Sequence, residues 1–258
     1  MTQYSDHHGP EGLRTRGTIL VVPGRGETRA TYARLGRRLA ADAYRVRVID
    51  APALDPEDPA ASLTGFAAEL ATAVEGTASE DGVVRPLVLV GADSGAAALA
   101  ALLGRTEAPA GRRPDALVLA GLPGPSSSIG AVADTWDHEL DIRTSCPAHR
   151  GILTQDPQVR RGSLNDAIPD AVLDAAYDGE ALPPTLLLVG DSDPLADHEA
   201  LARVAKSLPR ARLSAVHDAH HDVLNDLQHR SVAAEVVTFL ETLRNTLRPL
   251  ITVRSSAW

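Results

Sequence analysis

The 258-residue chain is 44% hydrophobic and 23% charged, the balance of a globular protein with room for one large domain or two small ones. Its net charge of −9 argues against nucleic acid or an anionic membrane as partner, and no apolar run reaches the ~20 residues of a membrane span. The single cysteine, Cys146, excludes an internal disulfide and a multi-cysteine zinc site.

Residues 1–16 are polar and lack the apolar centre of a signal peptide, so they read as a loose lead-in to an enzyme expected in the cytoplasm. Thr18 to Val22 reads as a strand, and Pro23-Gly-Arg-Gly-Glu27 as a turn. Arg29 to Asp42 follows as a helix, with Tyr32, Leu35 and Leu39 at helical spacing. Tyr44 to Ile49 is the next strand. A loop rich in Pro, Asp and Ala leads to a helix over Ser62 to Glu75, with Ser62 as its expected cap. Leu87 to Val90 is a buried strand, and Ala96 to Leu103 a helix. Pro114 to Gly121 is another strand. The composition of Gly124-Pro-Ser-Ser-Ser128 is that of a linker, and residues 125–183 read as a cap insertion of short helices. Strand, helix, strand and helix then follow over Pro184 to Val189, Asp197 to Leu208, Ala211 to Val216 and Ser231 to Leu247; Thr252 to Trp258 stay unassigned. Alternating strands and helices imply an α/β fold with a mostly parallel sheet. The core is expected over 17–124 and 184–250.

Chemistry gathers at strand ends, where such sheets bind ligands. Gly91-Ala92-Asp93-Ser94-Gly95 has the frame of a nucleophile elbow, with Asp93 where most elbows carry serine. Asp191 and Asp193 follow one late strand, and His220 and His221 follow the last. A carboxylate at the elbow can attack an electrophilic carbon and form an ester, which a histidine held by a second carboxylate then hydrolyses. Asp93, His221 and Asp193 match those roles. Asp93 as a general base, as a ligand-binding residue or as an inert relic are the alternatives. Ser94, one residue past the tip, is a rival nucleophile and a candidate backbone donor.

This order of motifs resembles the α/β-hydrolases, and specifically the monoacylglycerol lipase and lysophospholipase branch. Val22-Pro-Gly-Arg-Gly-Glu27 is similar to that branch's oxyanion loop, Gly190-Asp-Ser-Asp-Pro194 to its acid loop, and His221-Asp-Val-Leu-Asn-Asp226 to its histidine segment. The resemblance spans about residues 17–247. It implies His221 over His220, Asp193 over Asp191, a cap over 125–183, and backbone donors near Gly24 and Arg25. Pro23 and Asp93 depart from the pattern, and an elbow aspartate resembles instead the epoxide hydrolases and haloalkane dehalogenases. The expectation is therefore a hydrolase of a small organic substrate, acting through a covalent Asp93 intermediate on an epoxide or carbon–halogen bond. An ester or thioester hydrolase, or a cyclase or lyase using Asp93 and His221 as acid and base, are the alternatives. Trp136 and Tyr177 are candidate substrate contacts, as are His138, Cys146 and His149. No cofactor and no metal are expected, since Cys146 and His149 alone make no zinc site. Oligomeric state stays open.

Overall fold

The structure, a computed structural model, describes residues 3–104, 113–125, 133–179 and 182–254. Residues 126–128 of the linker-like stretch and 255–258 of the tail lie outside it. The described residues form a seven-stranded sheet in the order β1-β3-β2-β4-β5-β6-β7. The strands are β1 (Ser5–His7), β2 (Thr18–Val22), β3 (Arg45–Val48), β4 (Leu87–Ala92), β5 (Ala116–Ala120), β6 (Thr185–Gly190) and β7 (Ala211–Val216). All neighbours pair in parallel except β1, which runs antiparallel to β3.

β1 corrects the reading of residues 1–16 as a loose lead-in. Its three residues carry no apolar signal, and pairing with β3 holds them: Asp6 forms a two-pronged ion pair with the Arg47 guanidinium opposite it, at 2.7 and 2.6 Å.

The inner strands are apolar on both faces, as a sheet covered on both sides requires. Leu20, Leu89, Leu117 and Leu187 face one core, packed by α2 (Pro59–Glu75), α3 (Ser94–Leu103) and α7 (His198–Ser207). Ile19, Val88, Val118 and Leu186 face the other, packed by α1 (Ala33–Ala41) and α8 (His229–Arg244). The alternation along each strand sets which residue faces which core. α3 is almost wholly Ala and Leu because it is buried nearly all round.

Helix boundaries differ from the sequence reading at α2 and before α1. α2 starts at Pro59, and its cap is Asp58, whose carboxylate accepts the Ala61 N–H at 2.9 Å. Ser62 instead bonds the Asp58 carbonyl from inside the first turn. The stretch before α1 is a separate 3-10 turn, Arg29–Tyr32.

Within the stretch read as a cap lie α4 (Trp136–Arg143), α5 (Pro147–Gln155), a 3-10 turn at Ser163–Asn165 and α6 (Asp170–Tyr177). α6 is not a lid. Its Val172, Leu173 and Ala176 belong to the same core as α3. α4 and α5 form a small satellite core of Leu140, Leu153 and Val159, against which Trp136 packs. They are tied to the loop after β7 through backbone bonds from His221 N–H to Ile142 and from Asp222 N–H to Arg143.

Candidate active site

The chain turns from β4 into α3 at Asp93, which sits at φ 47 and ψ −119, a backbone conformation non-glycine residues rarely adopt. A side chain on Gly95 would lie 2.6 Å from the carbonyls of Val22 and Pro23, so the position needs glycine. The turn aims the Asp93 carboxylate at the carboxyl edge of the sheet. There β6 delivers Asp193 and the loop after β7 delivers His221. His221 Nδ1 lies 2.9 Å from Asp193 Oδ2, and Nε2 lies 3.2 Å from Asp93 Oδ1. All three side chains are buried.

The chain order thus brings together the residues it singled out. Asp191 is elsewhere, on the surface with His217 and the Asp218 N–H. His220 is turned to Asp226.

Burial opposes charging of His221, but the Asp193 carboxylate, with the bonds to Asp193 and Asp93, outweighs it and holds the imidazole pKa up at about 10. At neutral pH it is therefore an imidazolium that donates to both carboxylates. Burial likewise opposes charging of Asp93. The Arg25 charge, together with bonds from His221 and Arg25, overcomes it and holds the carboxyl well below its ordinary range.

Arg25 was expected to offer a backbone donor at the oxyanion loop. Its side chain is instead only 12% exposed and grips Asp93. Nη2 lies 2.7 Å from Oδ1, and Nε lies 2.9 Å from Oδ2. The Arg25 backbone N–H adds a third bond, 2.7 Å to Oδ2. The Gly24 N–H is also engaged, by Glu27 Oε2 at 2.9 Å. Neither oxyanion-loop donor is free. Gly24 must be glycine, because a Cβ there would stand 2.7 Å from that of Asp93.

A cavity of about 1250 Å³ opens above this cluster, with Arg25, Ser94, Leu54 and Ile168 among its walls. Asp93 and His221 are not among its walls, whereas Arg25, which grips Asp93, is. They line a separate void of about 10 Å³, with Tyr32 and Asn225. That is room for one water. Both side-chain amide atoms of Asn225 are buried there without a partner among the described residues.

Trp136 and Tyr177 are not in the cavity wall. Trp136 packs within the α4–α5 pair, with its indole N–H 3.4 Å from Thr154 Oγ1. The Tyr177 hydroxyl donates to the Pro123 carbonyl at 3.0 Å. His138 is exposed beside Asp134, and Cys146 is buried next to Arg34.

The sequence reading missed a second buried cluster behind the loop. Glu27, His149 and Asp222 bring one ligand-type atom each to within 4.8 Å of one another. His149 Nε2 lies 2.9 Å from Asp222 Oδ2. The positive charge there is Arg143, which is also buried and reaches Asp222, Glu139 and the Arg25 carbonyl. Glu27, His149 and the acid after His221 each stood out singly in the chain, but nothing local brings them together.

Within this cluster, burial and the neighbouring Asp222 charge push the Glu27 carboxyl up to about 7. A carboxyl whose folded pKa is raised gives its full stabilisation below the unfolded value and loses it as pH rises through the folded one. Stability should therefore fall, on the order of 3 kcal/mol, as pH rises from 4.5 to about 7. Glu27→Gln keeps an acceptor for Gly24 and Tyr32 but removes the titration. Denaturant melts across that range should show a flatter profile for the variant; identical profiles would refute the assignment.

The sequence profile of the serine aminopeptidase S33 family matches residues 14–228. Among solved structures, the chain is similar to a soluble variant of monoglyceride lipase from Saccharomyces cerevisiae, at 16% identity and TM-score 0.66, covering 93% of this chain and 91% of that one. It is also similar to the enol-lactonase from Burkholderia xenovorans, at 18% identity and TM-score 0.65, covering 93% and 96%. A type II thioesterase of the yersiniabactin pathway aligns at 20% identity and TM-score 0.58, over 93% and 98%. No curated protein matches by sequence. No helix among the described residues is long and apolar enough to cross a membrane. With its parallel sheet, its strand-to-helix elbow at Asp93 and this match, the chain belongs to the serine aminopeptidase S33 family and is a hydrolase of the α/β-hydrolase type.

Proposed function

We propose that the protein hydrolyses a small alkyl electrophile, an epoxide or a carbon–halogen bond, through a covalent ester on Asp93, with His221 and Asp193 as base and acid partner. The observation that carries this reading is the Arg25 backbone N–H on Asp93 Oδ2. In acyl transfer that donor must be open to the substrate's carbonyl oxygen. Here the elbow carboxylate holds it, and Glu27 holds the Gly24 N–H. An ester or thioester substrate would therefore lack both loop donors. If Asp93 is itself esterified, the donor already sits on the oxygen where charge develops.

The first step needs no base. Asp93 Oδ1 forms a bond to the saturated carbon. The electron pair of the broken bond leaves on the halide, or stays on the epoxide oxygen, which water protonates. Esterification then removes one of the two negative charges that keep His221 protonated. The imidazolium gives up its Nε2 proton to solvent water and becomes a neutral base. It takes a proton from a water in the void beside Asn225, and the hydroxide adds to Asp93 Cγ. The oxyanion on Oδ2 meets the Arg25 N–H. Collapse breaks the Cγ–Oδ1 bond, and the alcohol leaves with the proton from His221. One Asp93 oxygen now comes from water.

His221→Gln should react once and stop. Mass spectrometry of its peptides, after exposure to a panel of epoxides and haloalkanes, should find the adduct on Asp93. Turnover by the wild type with no adduct in the variant, and no oxygen-18 from water entering Asp93, would favour the acid/base alternative and end the covalent reading.

A further inference from the structure

Among the described residues, Arg25 is the one charged side chain that both bonds Asp93 and lines the large cavity. Its donors are distributed with one left over. Nε and one Nη2 hydrogen hold Asp93, and Nη1 donates to the carbonyls of Leu164 at 3.0 Å and Asp166 at 2.7 Å. The second Nη2 hydrogen has no partner among the described residues. The guanidinium therefore screens Asp93 from anything in the cavity, and Asp93 is released only if this fork moves or exchanges its partner. Moving it without a replacement would strip a mostly buried guanidinium of its counter-charge and leave Asp93 with His221 alone.

We propose that Arg25 is the receptor for a carboxylate of the substrate, which takes the place of Asp93 on the guanidinium fork and frees the elbow carboxylate to react. Like is exchanged for like. A planar carboxylate accepts the same two parallel N–H bonds that Asp93 accepts now, which a spherical halide cannot. The released Asp93 keeps His221 as its partner. Ala53, Leu54 and Ile168, which also line the cavity, supply apolar surface for the remainder of the substrate. This narrows the substrate class to halo- or epoxy-carboxylic acids. It deepens the Asp93 reading, and its test is independent of any covalent chemistry.

The probe is acetate, with propionate as a longer homologue and chloride at matched ionic strength as control. Binding is followed by calorimetry and by the Arg25 Nε–H resonance. Asp93→Asn removes the internal competitor while keeping the shape, so it should bind acetate more tightly than wild type, on the order of tenfold or more. Arg25→Lys, which keeps the charge but loses the fork, should bind more weakly by a similar factor. Thermal melts verify that both variants fold. Equal acetate affinity in Asp93→Asn and wild type, or undiminished affinity in Arg25→Lys, would overturn the proposal. So would chloride that competes as well as acetate, since that assigns the fork to a departing anion. Failure of the adduct experiment with unchanged acetate results would remove Asp93 as nucleophile and leave the carboxylate receptor standing.

Discussion

Asp93→Ser should lose native turnover by a factor of about 10³ or more, and should gain activity on an activated ester. A neutral serine hydroxyl displaces poorly at saturated carbon, and it forms an ether there that His221 and water cannot cleave. The same change improves the site for acyl transfer. It removes the carboxylate that occupies the Arg25 N–H, so a loop donor becomes open to a substrate carbonyl. It places a hydroxyl beside His221, which Asp193 already holds through Nδ1. It also lowers the imidazole pKa, because one of the two neighbouring anions is gone. The assay compares halo-acid and epoxide turnover with hydrolysis of p-nitrophenyl acetate in both proteins. A serine variant that turned over the native substrate at the wild-type rate would defeat Asp93 as nucleophile.

Arg143→Met should destabilise the fold by about 3–5 kcal/mol, lowering the melting temperature by roughly 10 °C. Arg143 is only 1% exposed. Burial opposes its charge, but Asp222, Glu27 and Glu139 push its pKa up, so it stays a cation. Its guanidinium bonds Glu139 at 2.9 Å, the Arg25 carbonyl at 2.8 Å and Ser163 Oγ at 3.0 Å. It thereby joins α4, the oxyanion loop and the turn at Ser163. Met fills similar volume but strands two buried carboxylates. The double variant Arg143→Met/Glu139→Gln should recover part of the loss, since one stranded charge disappears. Calorimetric melts of the three proteins measure this. A single variant as stable as wild type would show that the pair contributes nothing net.

The two variants probe features of different origin. The elbow was legible in the chain because its determinants are local. An apolar run, two flanking glycines and an alanine-rich helix lie within a few residues of Asp93, and each acts on its own backbone. The same holds for the inner strands, whose apolar runs announce burial on both faces. The preference for Asp193 over Asp191 came from a resemblance, and the structure places the two accordingly: one buried on His221, one on the surface with His217. β1 was missed because a three-residue edge strand carries no periodicity. α6 was misplaced in the cap because its apolar spacing says that a face is buried, not against what.

By itself, then, the sequence determined the α/β architecture and the order in which Asp93, Asp193 and His221 arrive at the sheet edge. Periodicity and turn chemistry are local, and parallel strands joined by helices carry their ends to one side. Only the tertiary structure decided what those residues meet. Arg25 reaches Asp93 across 68 positions, and Arg143 reaches the Arg25 carbonyl across 118. Partners so far apart are chosen by where loops land, and a buried charge accepts whichever counter-charge the fold brings within hydrogen-bond reach. The carboxylate that the chain offers as a nucleophile is thereby delivered already paired, behind a guanidinium that faces the cavity.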